Sequence, residues 1–407
     1  MKRINVDELL FKLIIFFPIS IILQGIGIFN SVNKILIFLI LILLILKNIK
    51  KEIKTNTIVT IFELAVVYMF SFFFTYKKID NINDIFYFAI WVLYFLYLKE
   101  NHYRFKELLK NNNKYIYNII FLWNIITFIS FFFDISYNSN WGGEYYFKSF
   151  SNTEHRFAST CIFIIALNWI VAREKRNKRY MLFSVIPFVG IYLSGARTYL
   201  GVILIFILCI YYLMCERKII FYITLIPMMV LLIVIVVITP MGEKFIQTTN
   251  DGYNGFWATI TNSRTIFWKA DIEAFKDLNF FQRFVGNGYN FVYDVNEEAV
   301  HTRIYAHNDI INVLLTYGYI GVIIYLYVFF KYSKIVFKNS ESTKIIKYGY
   351  YFIWLFNAMF NMVYTYIGAT FSLPFILYSL VDFENDVVKN REKLEKKNEN
   401  FLYSSNI

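Results

Sequence analysis

Charge is scarce in this chain of 407 residues: Asp, Glu, Lys and Arg together make up only 17% of it. A soluble domain carries about a quarter of its residues as charges, so this shortage argues against one. Cysteine is scarcer still. Cys161, Cys209 and Cys215 are the only three, all within or at the ends of apolar runs, and neither a disulfide framework nor a metal-ligand spacing can be read from them. There are four histidines. A glycine-rich phosphate loop, an HExxH pair and any internal repeat are missing, which removes the common soluble nucleotide-binding and zinc-hydrolase readings.

What fills the chain instead is apolar: 58% of residues are hydrophobic and 21% aromatic. Many uncharged runs approach the roughly 20 residues that cross a hydrocarbon layer of about 30 Å as a helix. The sequence predicts an all-α polytopic membrane protein. Its spans are expected at 13–33, 31–46, 57–76, 85–98, 115–133, 157–172, 180–196, 198–214, 219–239, 310–330, 348–364 and 366–381. The apolar run after Lys12 reads as a span rather than a cleavable signal. With the N-terminus inside, the inner segments are "KNIKKEIK", "KENHYRFKELLKNNNK", "REKRNKR", "ERK", "KYSKIVFKNSESTKIIK" and the basic tail 382–407, and they hold most of the 41 lysines and arginines. That satisfies the positive-inside rule. It also accounts for the net charge of +12 through membrane lipid, with no nucleic acid required.

This topology leaves two long segments outside, 134–156 and 240–309. The larger contains "SRTIFWKADIEAFKDLNFF", which places Phe267, Ala270, Ala274, Phe275, Leu278 and Phe281 on one helical stripe. Lys269, Asp271, Glu273, Lys276 and Asp277 lie largely off it. An amphipathic helix is expected there, capped by Asn262-Ser263 and stopped by "GNGY" after Val285, lying on or capping the bundle.

Several polar residues stand at the outer boundary. Arg197 follows the uncharged turn Ser194-Gly195-Ala196, against the positive-inside bias, and Arg264 opens the amphipathic helix, where a cation opposes the helix dipole. In "AHNDIINVLLTYGYIGVIIY", His307, Asn308 and Asp309 sit at the mouth of the tenth span, with Gly318 and Gly321 behind them. Each has a bland reading. The arginines could snorkel to headgroups, Asn308 or Asp309 could cap the helix, and the glycines could allow close helix packing.

Together, however, these residues resemble the signature of the O-antigen ligase and polymerase superfamily. That signature is a His followed by Asn, Ser or Gln, then nine residues, Gly, two residues, and a small residue or Tyr. His307, Asn308, Gly318 and Gly321 satisfy its full spacing. The SGAR turn with Arg197, "NSRTIFWKADIEAF" with Arg264, and the following "GNGY" extend the resemblance over about residues 180–330. It implies a GT-C-like membrane glycosyltransferase with about 12 transmembrane helices and one large external loop. The donor is a polyprenyl-pyrophosphate-linked oligosaccharide, and no cofactor or metal is implied. Arg197 and Arg264 match arginines that hold the pyrophosphate, and His307 matches the residue that acts at the acceptor, with Asn308 or Asp309 orienting its ring. The shorter loop departs from the family, since it lacks the glycine-rich pattern common before this span and carries Glu154-His155-Arg156 instead. Arg156 and Arg303 are further candidates for the anion site, and Glu154 is an alternative base. Trp141, Tyr145 and Tyr146 could stack on sugars or form an interfacial belt.

Within the superfamily three activities compete: a polymerase of O-antigen, capsule or exopolysaccharide repeat units, a ligase, and a protein oligosaccharyltransferase. The Ile/Phe/Tyr/Asn/Lys-rich composition resembles the polymerases, which would work beside a chain-length regulator and a flippase. A lipid-linked glycan flippase is the alternative from another class. It would want paired ionisable groups inside the bundle, where this chain offers few, Lys12 and Glu63 among them.

Overall fold

The computed structural model describes residues 5–50, 83–141, 144–238, 261, 264–338 and 343–404. The expected span at 57–76, most of the first third of the larger external loop and the Asn262-Ser263 cap lie outside them. The described chain is helical apart from one short hairpin. Its helices are α1 (Val6–Ile22), α2 (Ile28–Lys50), α3 (Asn83–Asn111), α4 (Asn113–Ser130), α5 (Glu154–Glu174), α6 (Val185–Leu193), α7 (Arg197–Met214) and α8 (Lys218–Ile238). They continue with α9 (Arg264–Asp277), α10 (Phe280–Val285), α11 (Tyr289–Val300), α12 (Asp309–Lys338), α13 (Lys344–Phe360) and α14 (Ile367–Ser404). Among the described residues, five stretches are long and apolar enough to cross a membrane: Ile28–Asn48, Glu154–Glu174, Arg197–Met214, Asp309–Lys338 and Ile367–Lys389.

Two expected spans are corrected. The first, 13–33, is not one helix: α1 ends at Ile22, and α2 restarts at Ile28 after a turn in which Gly27 adopts a φ of 22°. The N–H of Gly25 donates to Phe150 O at 2.7 Å, which ties this turn to the shorter external loop. The seventh, 180–196, is a 3-10 turn over Lys178–Ser184 followed by the nine residues of α6. Nine residues rise only about 14 Å, so α6 alone does not cross a bilayer.

The bundle is organised around α5 and α14, which pack along each other and are buried through most of their apolar length. One end of the pair is locked by charge. Arg173 holds Asp386 at 2.5 Å and Asp382 at 3.2 Å, and Lys106 reaches Asp382 at 2.7 Å. Asp7 pairs with Lys47 at 2.7 Å and accepts from Tyr97 at 3.0 Å. These pairs lie at the start of α1 and the end of α5, opposite the end that carries Glu154, so ionic clamps hold one end of the bundle and leave the other for the polar residues of interest.

At that other end, β1 (Tyr137–Trp141) pairs antiparallel with β2 (Glu144–Phe147), with Tyr137 opposite Phe147. Strand alternation sends Tyr145 out, 76% exposed, and Tyr146 in. Helices α9, α10 and α11 form a cap over the start of α12, with their own small core of Phe275, Leu278, Val292, Ala306 and Leu315. The expected single amphipathic helix is two. It breaks at Asn279, whose side chain and that of Gln282 form a reciprocal capping box for α10. The buried stripe of α9 also differs from the expected one: it runs Phe267, Asp271, Phe275, so Asp271 lies on the covered face and not off it. Burial pushes the Asp271 carboxyl up to about 8, with Asn296 of α11 near enough to oppose the shift.

The two signature glycines have different reasons. Gly318 interrupts α12 with φ 66° and ψ −164°, a backbone region essentially closed to residues with a side chain. A Cβ there would run into the backbone carbonyls of Arg283 and Phe284 in α10. The interruption releases carbonyls of the preceding turn, and the "GNG" turn satisfies them: Asn287 N–H donates to Leu315 O at 2.9 Å and Gly288 N–H to Thr316 O at 3.2 Å. Gly321 lacks space on its own helix, against the Tyr317 and Val313 side chains. Gly318→Ala is therefore expected to cost about 1–3 kcal/mol from the backbone alone, read as a lowered thermal midpoint of the detergent-purified protein. An unchanged midpoint would show that the break is relaxed.

Candidate active site

A single carbonyl gathers the two arginines. Phe360 closes α13, and its C=O, at the negative end of a helix, has no partner within that helix. Arg264 Nη1 donates to it, and so does Thr198 Oγ1 at 3.3 Å. Thr198 is the neighbour of Arg197 at the start of α7, where the turn closes through Gly195 at φ 61° and Ala196 N–H donates to Ser194 Oγ at 3.3 Å. The first turns of α7 and α9, 67 residues apart in the chain, are thereby drawn to one point. The two guanidinium groups stand near enough to repel each other, with Tyr146 of the hairpin beside Arg197. Arg264 keeps part of its surface open, yet burial pushes its pKa down to about 10. No described carboxylate pairs with it. A partly desolvated cation of this kind favours an anionic ligand.

His307 is held against the same helix. The i, i+3, i+4 spacing puts Arg264, Phe267 and Trp268 on one face of α9. The Phe267 ring lies 6.1 Å from the imidazole, and Trp268 Nε1 donates to Ala306 O at 2.6 Å. His307 itself adopts φ 48°, the last residue before the cap of α12. Burial above all, with Arg264 and His155 nearby, holds its pKa well below the ordinary histidine range, so the ring is neutral at physiological pH. Its Nδ1 is enclosed without a hydrogen-bond partner among the described residues, which leaves Nε2 as the nitrogen open to a substrate.

The neighbours of His307 face elsewhere. Asn308 caps α12, its Oδ1 accepting from Ile310 N–H at 3.0 Å and Ile311 N–H at 3.1 Å. Asp309 is fully buried, accepting from Tyr325 Oη at 2.6 Å and from Val363 N–H at 2.8 Å. Both are engaged in fixing backbone. Asn312 adds a hydrogen bond to Tyr364, so the start of α12 grips the segment 361–366 that connects α13 to α14. Arg303 is not brought into the cluster. It is exposed and pairs with Asp294 at 2.8 Å and Glu297 at 2.9 Å on α11.

The start of α5 completes the arrangement. Thr153 Oγ1 accepts from Arg156 N–H at 3.3 Å and caps the helix. Arg156 Nη1 donates to Gln24 at 2.8 Å, and Glu154 is buried with Oε1 lacking a described hydrogen-bond partner. His155 lies 6.0 Å from the ring of Tyr366, on which Arg156, Arg264 and Glu154 all act electrostatically. Arg197, Arg264, His307, Glu154 and Arg156 thus converge, whereas Arg303 does not. Sequence reasoning missed the segment 360–366, whose Phe360 carbonyl takes Arg264 and whose Tyr366 lies within electrostatic reach of Arg156, Arg264 and Glu154. Its only signal was the polar "NMVYTY" between two apolar runs. Among the described residues no group of three His, Cys, Asp or Glu is placed to hold a metal ion.

Two guanidinium groups and a neutral imidazole at one end of a helical bundle suit an anionic leaving group and a hydroxyl nucleophile. Comparison with known families agrees. Residues 182–326 match the O-antigen ligase family. That match covers Arg197, Arg264, His307, Gly318 and Gly321, so the likeness to the O-antigen ligase and polymerase superfamily is shown for the stretch that carries the site. The family is one of membrane glycosyltransferase-like enzymes acting on lipid-linked oligosaccharides. No curated protein matches the chain.

Proposed function

We propose that this protein is a polymerase that joins polyprenyl-pyrophosphate-linked oligosaccharide repeat units into O-antigen, capsular polysaccharide or exopolysaccharide at the outer face of the cytoplasmic membrane. The observation that carries the reading is the meeting of Arg197, Arg264 and a neutral His307 at one end of the bundle. An acceptor hydroxyl attacks the anomeric carbon of the donor glycan. The bond from that carbon to the phosphate oxygen breaks, and the pyrophosphate leaves with the electron pair. Arg197 and Arg264 stabilise the developing charge through bidentate, charge-assisted hydrogen bonds, in the role a metal plays elsewhere. His307 takes the acceptor proton, a contribution of about 10²–10⁴-fold. Glu154 is the alternative base, and Arg156 an additional contact for the anion.

The proposed architecture is GT-C-like, a single membrane domain with about 12 spans and both termini cytoplasmic, including the basic tail 382–407. The segments 134–156 and 240–309 then face outward, which places His307 where a flipped lipid-linked substrate arrives. A chain-length regulator and a flippase are the expected companions. Polymerase is preferred to ligase or oligosaccharyltransferase on composition, because the arginines and the histidine serve all three.

Purified protein in lipid nanodiscs, given its organism's lipid-linked repeat unit and a chelator, is expected to produce a ladder of longer lipid-linked glycans. A deletion strain is expected to accumulate single repeat units outside the membrane. Accumulation inside would identify a flippase, and no ladder from an authentic repeat unit would remove the polymerase reading.

A further inference from the structure

The residue at the centre of the outer cluster is one that neither the sequence motifs nor the family match singles out. Tyr366 lies forty residues beyond the matched segment, immediately before α14. It lines a narrow groove with a cavity of about 10 Å³, room for about one water, together with Arg156, Ser159, Phe17, Ile21 and Ile37. The ring is half-buried, 6.0 Å from His155, and within electrostatic reach of Arg156, Arg264 and Glu154. No described residue hydrogen-bonds its hydroxyl.

An interfacial tyrosine facing lipid is the ordinary alternative. Two observations count against it. The residue lines the same groove as Arg156 and lies within electrostatic reach of Arg156 and Arg264. The backbone that carries it is also fixed to an unusual degree: Asp309 accepts from Val363 N–H, Asn312 bonds Tyr364, Thr370 Oγ1 donates to Val363 O at 2.8 Å, and Arg264 and Thr198 both hold Phe360 O. Met362, at φ 93°, is kept in a conformation few side chains adopt. A donor positioned this firmly beside two guanidinium groups is preorganised for an anion. A phenol keeps its proton at physiological pH, so it donates to that anion and does not compete with His307 as base.

We propose that Tyr366 is a further donor to the pyrophosphate beside the arginines, its hydroxyl contacting the anion between Arg264 and Arg156 at the mouth of the groove. This rests on the anion-site reading above, and one experiment separates the two. The affinity of polyprenyl pyrophosphate is measured for nanodisc-embedded wild type, Arg264→Ala, Tyr366→Phe and Tyr366→His. Tyr366→Phe keeps the ring and is expected to elute and melt as wild type while binding about tenfold more weakly, the loss of one hydrogen bond to a charged group. Tyr366→His returns a donor and is expected to recover most of that loss. Unchanged affinity in Tyr366→Phe, with Arg264→Ala impaired, would overturn the role of Tyr366 and leave the anion site standing. Unchanged affinity in both would remove the anion site and this inference with it. Should Tyr366→Phe melt early, equal loss in the histidine variant would mark a packing role and overturn the proposal as well.

Discussion

Arg197→Ala and Arg264→Ala are each expected to abolish long glycan while leaving the amount of protein in the membrane near normal. The two residues serve one anion, and each donor to a developing negative charge typically carries on the order of 10²–10³-fold in rate. Lysine at either position is expected to rescue poorly, because a point charge cannot reproduce the two-pronged geometry of a guanidinium. At position 264 the loss has a second source: Arg264 also holds the end of α13 through Phe360 O, so Arg264→Lys alters both the anion contact and the anchor. Thr198→Val removes the other anchor bond and leaves both guanidinium groups, and its deficit should be far smaller. Immunoblotting of membranes beside gel profiles of the glycan reads both outcomes. Full-length polymer in both alanine variants would defeat the pyrophosphate assignment.

His307→Gln is expected to lose most turnover and to retain donor binding. Glutamine keeps a hydrogen bond but cannot take the acceptor proton, so the variant separates a base from a residue that merely aligns the acceptor. The pH profile supplies an independent check. The environment of His307 disfavours its charged form, through burial first and then through Arg264 and His155. Protonation, and with it loss of the base, therefore comes well below the ordinary histidine range. Wild-type kcat/KM should hold as pH falls through 6.5 and decline only at lower values. A decline centred at 6.5 would mean an unperturbed group controls the rate. Near wild-type turnover in His307→Gln would pass the role of base to Glu154, whose buried Oε1 lacks a described hydrogen-bond partner.

The helical membrane character, the two arginines, the histidine and the spacing of the glycines were legible in the chain, because each is written in local terms: apolar runs of bilayer length, polar residues at the ends of those runs, fixed intervals along one helix. The reason for Gly318 was not, since the demand comes from α10, more than thirty residues upstream, pressing its carbonyls against the break in α12. Asp271 was misplaced for a related reason. Its helix is amphipathic by composition, but α11 covers a face that composition alone assigns to water.

By itself, then, the sequence determined which polar residues stand at the ends of apolar runs, because hydrophobicity acts residue by residue along the chain. Only the tertiary structure decided which of them meet. Phe360 O joins α7 to α9, the start of α12 grips 361–366, and Arg303 is left on the surface with Asp294 and Glu297 while Tyr366 is brought among the cations. Those pairings depend on the unsatisfied ends of helices finding partners far away in the chain, and no local pattern records where such a partner lies.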